Sequence, residues 1–259
     1  MTGQRTTVEV RDHVLIITMT RHEKRNAIDG EMTLALDAAL NRLEDEPELW
    51  VGVISGGPDM FCAGTDMAAT SGTPTARGGI YGVVGRTRTK PLIAAVEGVA
   101  FGGGFEVVMA CDMVVAATNA RFGLPEVKRG LVPTSGAIFR ASRVLPLNVA
   151  KQIMLTGAEL SPADGHRLGL VNELCEPGGA LAGALVLAAQ ITANSPVSVQ
   201  QSLQAIDALA SANDALGWEL TAKAKKVINA SADAKEGVAA FFEKRPPKWT
   251  GHRQDSGKQ

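Results

Sequence analysis

Cysteine, histidine and aromatic residues are all scarce in this chain. Cys62, Cys111 and Cys175 stand far apart, and no Cys-x-x-Cys pair occurs. That spacing excludes a disulfide-stapled scaffold and points to free thiols in a reducing compartment. His13, His22, His166 and His252 share no spacing that a metal-ligand set needs, so no metal site is expected. A surplus of charge is also missing: the net charge is −1. Nothing global therefore draws the chain to nucleic acid or to an anionic membrane, and no basic stripe is present. No stretch reaches the ~18 consecutive apolar residues of a membrane span. The opening MTGQRTTVEVRD has no apolar signal core. The expectation is a cytoplasmic protein with neither nucleic acid nor membrane as partner. With 259 residues, the chain is long enough to bury a sizeable core.

What is present concentrates between Lys90 and Arg129. Pro91 to Val96 is an apolar, branched run that reads as a buried strand. The triplet Gly102-Gly103-Gly104 follows, then an apolar helix from Phe105 to Ala110. Met113 to Ala117 reads as another buried strand, and Arg121 to Glu126 closes the unit. The N–H groups at a helix N-terminus are unpaired, and glycine lets a ligand approach them closely. Such a place suits an oxyanion. Glu106, just inside the helix, and Glu126, after the next strand, can sit at the same end of neighbouring elements. There they could move protons or hold a water between them. The bland alternatives are a first-turn glutamate that steadies its helix and a loop glutamate paired with Lys128 or Arg129. The triplet is not a GxGxxG pattern, so a dinucleotide site is not indicated.

Around this centre, Thr6 to Val10 and Val14 to Met19 read as a hairpin. Arg21, Lys24 and Arg25 lie in a charged loop that is either a solvated connector or an anion clamp. Met32, Leu36, Leu40 and Leu43 mark one face of a helix from about Gly30 to Asp45, with Asp29 as N-cap and Pro47 at its stop. Trp50 to Ser55 is a third buried strand. Ala68 to Thr89 is rich in Gly, Thr and Ser. It reads as a loop with a short helix near Gly79 to Arg86, either a mobile pocket wall or an ordinary surface loop. A helix over Ala137 to Val144 would be capped by Thr134 or Ser135. Leu147 to Leu155 and a short helix after Ser161 follow, then a last strand over Gly169 to Leu174. From Gly179 onward only helices are expected, roughly 181–193, 197–209, 214–229 and 234–243, with a frayed tail from Thr250. The pattern is an α/β core followed by an all-helical piece, divided at 1–195 and 196–259.

Four motifs, in this order, resemble the crotonase superfamily of enoyl-CoA hydratases and isomerases. They are Phe61-Cys62-Ala63-Gly64-Thr65-Asp66, Pro91 to Gly98, Gly102-Gly103-Gly104-Phe105-Glu106 and Leu124-Pro125-Glu126. The resemblance spans about Val8 to Trp249. It implies a spiral of β-β-α units with a C-terminal helical trimerisation segment, and a homotrimer often paired into a homohexamer. It implies an acyl-CoA thioester as substrate and no cofactor, since coenzyme A is part of the substrate. By position, the N–H groups of Thr65 and Gly103 match the family's oxyanion hole. Glu106 and Glu126 match the two catalytic glutamates of its hydratases. Arg21, Lys24 and Arg25 match the basic loop near the nucleotide phosphates. Ala63, Thr65, Asp66, Met67 and Ala68 match the acyl-CoA groove, although Asp66 by itself reads as a helix-start residue. Phe241 and Lys244 match a segment that closes over the coenzyme.

The implied reaction is syn addition of water to a 2-enoyl thioester, or its reverse. Isomerases of the family usually keep only the second glutamate, so the presence of both favours hydration. The run Pro133 to Arg140 departs from the hydratases' glycine-rich pattern. The runs Gly102 to Glu106, Leu124 to Lys128 and Phe242 to Trp249 look closer to carnitinyl-CoA dehydratase. The remaining alternatives are a double-bond isomerase and a non-catalytic acyl-CoA-binding protein.

Overall fold

The structure is a computed structural model and describes residues 4–250. Of the tail expected to fray, only Thr250 is among them; its N–H and hydroxyl donate to Asp233 Oδ1 at 2.7 and 2.9 Å. Positions 251–259 lie outside the described residues.

In chain order the elements are β1 (Thr6–Arg11), β2 (Val14–Met19), α1 (Gly30–Asp45), β3 (Val51–Ser55), β4 (Leu92–Val96), β5 (Val99–Phe101) and α2 (Gly103–Val108). Then come β6 (Met113–Ala117), β7 (Arg121–Gly123), α3 (Ala137–Val144), α4 (Leu147–Thr156), β8 (Glu159–Leu160), α5 (Pro162–Arg167) and β9 (Glu173–Cys175). Four helices finish the chain: α6 (Ala180–Thr192), α7 (Pro196–Ala210), α8 (Asp214–Asn229) and α9 (Ala232–Phe242).

The larger sheet runs β1-β2-β3-β4-β6-β9, antiparallel at β1–β2 and parallel elsewhere. Successive side chains alternate between its faces, so β2 feeds two cores. Leu15, Ile17 and Met19 enter the main core against Met32, Leu36, Leu40 and Leu43 of α1. Val14 and Ile16 face the other way with Val51, Val53, Ile93, Ala95 and Val115. That second face is closed by α6, whose Ala180, Ala184 and Ala188 recur at the helical period of four. Asp29 caps α1, its Oδ1 accepting from the Met32 N–H at 2.8 Å. Lys90 Nζ closes the other end, donating to the carbonyls of Leu43 and Glu46 at 2.7 Å each.

A smaller sheet, β5-β7-β8, is not expected from the sequence. Its strands have two or three residues, too few to show a period. It matters for the site. Twice the chain passes from a strand of the large sheet to one of the small sheet and then into a helical turn: β4-β5-α2, and β6-β7 with the 3-10 turn Pro125–Arg129. This is the β-β-α spiral. Because β5 and β7 pair in parallel, it brings Gly103–Glu106 and Glu126 to the same end of the small sheet.

Candidate active site

Two backbone segments meet where the spiral turns back. Cys62 pairs with Ala100, with Cys62 N–H donating to Val99 O at 2.9 Å and Phe101 N–H to Cys62 O at 3.0 Å. Gly64 has φ +105°, and a methyl added there would stand 2.8 Å from Phe101 O and 3.3 Å from Gly103 N. Only glycine permits that approach. On either side of Thr65, Ile28 N–H donates to Gly64 O and Asp66 N–H donates to Ile28 O. Among the described residues, the N–H groups of Thr65 and Gly103 have no acceptor. Gly103 opens α2, so its N–H points out of the helix by construction.

Glu106 is 2% exposed. Its Oε1 accepts from the N–H of Ser135 at 2.7 Å and of Ala137 at 3.1 Å. Here the structure corrects an expectation. Neither Thr134 nor Ser135 caps α3 through its hydroxyl; the N-cap is Gly136, and the Glu106 carboxylate reaches across from α2 to take the free amides. The buried Ser135 hydroxyl lies beside the Glu106 carboxylate and the Tyr81 hydroxyl.

Glu126 is half-buried on the 3-10 turn, with its Oε2 buried and unpartnered. A methyl on Gly102 would stand 3.1 Å from Glu126 Oε1, while Gly102 O accepts from the Glu106 N–H at 2.9 Å. One glycine thus links the two glutamates. Burial pushes the Glu106 carboxyl up; the two amides and the Arg140 charge oppose it and favour its ionised form. Burial first, and then the charge of Glu106, push Glu126 up to about 8. Both carboxyls are thus raised by burial, and Glu126 is raised further by its neighbour's charge.

The other candidate residues are placed unevenly. Arg21 does not form a clamp with Lys24 and Arg25. It is 7% exposed, and Nη1 donates to Asp66 Oδ2 and Ala27 O at 2.8 Å each, with Nε 3.2 Å from Asp29 Oδ2. Burial of an arginine demands paired charge, and Asp29 and Asp66 supply it. Asp66 is likewise occupied: its Oδ1 accepts from Ala68 and Ala69 N–H at 2.9 and 3.1 Å. Burial pushes its carboxyl up, but Arg21 and these amides outweigh burial and hold it below its usual range. Its side chain is an internal tie between the Arg21 guanidinium and the Ala68–Ala69 backbone. Arg21→Ala is therefore expected to destabilise the fold by about 3 kcal/mol, by stranding buried carboxylates, as measured by urea unfolding.

Lys24 and Arg25 are exposed, and Arg25 O accepts from the Ala63 N–H at 3.0 Å, so the basic loop does abut the Ala63–Thr65 stretch. Met67 is half-buried and Ala68 exposed beside it. Phe241 and Lys244 are exposed at the end of α9, which packs on the Glu126 turn. The guanidinium of Arg129 lies 4.6 Å from the centre of the Phe241 ring.

Sequence reasoning passed over Tyr81, the chain's single tyrosine. Its hydroxyl shares a 2.7 Å hydrogen bond with Thr65 Oγ1. The segment that carries it is tied down, contrary to the mobile wall its composition suggests. Arg86 bonds Asp37 Oδ1 at 2.5 Å and Asn41 Oδ1 at 2.8 Å, and Thr75 Oγ1 donates to Asp37 Oδ1 at 2.7 Å.

A β-β-α spiral that joins two free amides to two buried carboxyls defines an enzyme class built for enolate and proton chemistry. Comparison with known proteins agrees. The enoyl-CoA hydratase/isomerase family model matches residues 9–253, and the chain belongs to that family. It is 37% identical over 250 residues to the enoyl-CoA hydratase EchA19 of Mycobacterium tuberculosis, covering 93% of this chain and 94% of that one. It is 39% identical over 260 residues to the mevalonyl-coenzyme A hydratase sidH of Aspergillus fumigatus, covering 92% and 91%. A crystal structure of carnitinyl-CoA hydratase from Mycobacterium avium superposes with a TM-score of 0.92 at 40% identity, covering 97% of this chain and all of that one.

Proposed function

We propose that this protein is an enoyl-CoA hydratase, a hydro-lyase that adds water reversibly and syn across the double bond of a 2-enoyl-CoA thioester. One observation carries this reading: two glutamates meet on either side of Gly102, one accepting from two backbone amides and the other with its carboxyl pushed up to about 8. They are a base and an acid in one site. Glu106 takes a proton from the water as its oxygen bonds to C3. Electrons move through C2 onto the thioester oxygen, and the N–H groups of Thr65 and Gly103 stabilise that enolate. Glu126 then delivers its proton to C2. The reverse reaction uses the same single proton, starting on Glu106. No resident cofactor enters any step, and coenzyme A arrives as part of the substrate.

Lys24 and Arg25 meet the nucleotide phosphates, the backbone from Ala63 to Ala68 lines the thioester groove, and Phe241 and Lys244 close over the coenzyme. The working unit is a homotrimer, with a homohexamer its paired form. What supports assembly is α7, which buries none of its residues and leaves Ile206 65% and Leu209 82% exposed. The compartment is the cytoplasm, in keeping with three free thiols.

The test is a panel of enoyl-CoA and 3-hydroxyacyl-CoA thioesters of increasing size, carnitinyl-CoA included, followed by absorbance of the conjugated thioester. Hydration of at least one member is expected. Migration of a double bond without water uptake points to an isomerase, and binding without turnover points to a non-catalytic acyl-CoA-binding protein. Sedimentation is expected to give a species of three or six chains.

A further inference from the structure

Tyr81 takes no part in the reaction as written, yet the fold holds it in a costly shape. Its φ and ψ are 59° and 5°, a left-handed conformation that a bulky residue rarely adopts. Such strain persists only where the surroundings impose it, and it gathers at functional sites. Here the ties from Arg86 and Thr75 to Asp37 impose it, and the residue is 3% exposed. Its hydroxyl bonds Thr65 Oγ1 at 2.7 Å. Its ring lies on Gly103: a methyl built there would stand 2.4 Å from the hydroxyl oxygen and 3.0 Å from Cε2. Thr65 and Gly103 belong to separate segments of chain, and the phenol touches both.

We propose that Tyr81 is a positioning residue for the two amides: its ring seated on Gly103 and its hydroxyl bonded to Thr65 hold them at one separation. The proposal rests on the reading of those amides as the site of the thioester oxygen. Burial, and next the Glu106 charge, push the phenol well above its ordinary range, so it stays a neutral hydroxyl at working pH.

Tyr81→Phe removes one oxygen and keeps the ring. Its kcat on a 2-enoyl-CoA is expected to fall about tenfold with KM within about twofold, because the lost alignment matters only once charge reaches the oxygen. Thr65→Val, which keeps the amide, is expected to fall equally, and the double variant no further than either alone. A purely structural role gives additive losses and a lowered melting temperature, and that pattern overturns the proposal. A second readout needs no turnover. The infrared carbonyl band of a bound, carbonyl-labelled thioester shifts down in the wild type and moves back toward its solution position in Tyr81→Phe. An unchanged band in that variant also overturns the proposal. Failure of the wild type to hydrate any thioester defeats the hydratase reading instead, while the carbonyl band still decides the role of Tyr81.

Discussion

Glu126→Gln is expected to lower kcat for hydration of crotonyl-CoA by about 10²–10⁴, with CoA-thioester binding intact, and Glu106→Gln by a similar factor. Glutamine keeps the volume and a carbonyl acceptor, so the Ser135 and Ala137 amides keep a partner when Glu106 is replaced. What each variant loses is one proton site. Because the two carboxyls act as a unit, the double variant is expected to be little worse than either single one. The pH profile gives an independent check. Hydration needs the proton on Glu126, so kcat falls as pH rises through about 8. Dehydration needs the same one-proton pair and shows the same alkaline limb. Stability follows too. Between the ordinary value of 4.5 and about 8 the folded chain holds a proton on Glu126 that the unfolded chain has released. Stability therefore falls as pH rises through that window, and Glu126→Gln lacks the part of the fall that Glu126 contributes. The variant is expected to melt above the wild type at alkaline pH and beside it at acid pH. Wild-type turnover in either single variant removes the two-carboxylate mechanism.

Much of this site was legible in the sequence, because its parts are local. Gly30 to Asp45, Met113 to Ala117 and Ala137 to Val144 show their helical or apolar period directly, and the structure gives those same bounds. The glycine triplet before an apolar helix announced unpaired amides, and Gly103 indeed opens α2. The hidden parts depend on distant partners. Arg21 looked like Lys24 and Arg25, its neighbours in a charged loop. Its burial is decided by Asp29 and by Asp66, which lies in another segment altogether. The cap of α3 looked like the business of Thr134 or Ser135, but a carboxylate from α2 does it. Tyr81 sits among glycines that suggest a slack loop, and only the ties from Arg86 and Thr75 to α1 reveal a fixed one. The small sheet was missed for another reason: its strands are shorter than the period that would betray them.

Gly64→Ala is expected to cut kcat by about 10²–10³ while thioester binding changes less than about tenfold. The position has two independent demands. Its φ of +105° lies where a side chain is strained, and a methyl there would stand 2.8 Å from Phe101 O and 3.3 Å from Gly103 N. The contact is with backbone at each point, so relief must come from parting the two segments. Their separation is held by the bonds from Cys62 N–H to Val99 O and from Phe101 N–H to Cys62 O, which resist a shift at the base of the pair. Parting them further along strains the Tyr81 bridge between Thr65 and Gly103 and shifts one amide against the other. A donor displaced by a few tenths of an ångström still tolerates a ground-state carbonyl, whose charge is small. It loses most of its worth against the full charge of an enolate, so the cost appears in kcat and spares binding. Circular dichroism and melting separate this from unfolding. Unaltered turnover in a folded Gly64→Ala protein means that the two amides do not act as a pair.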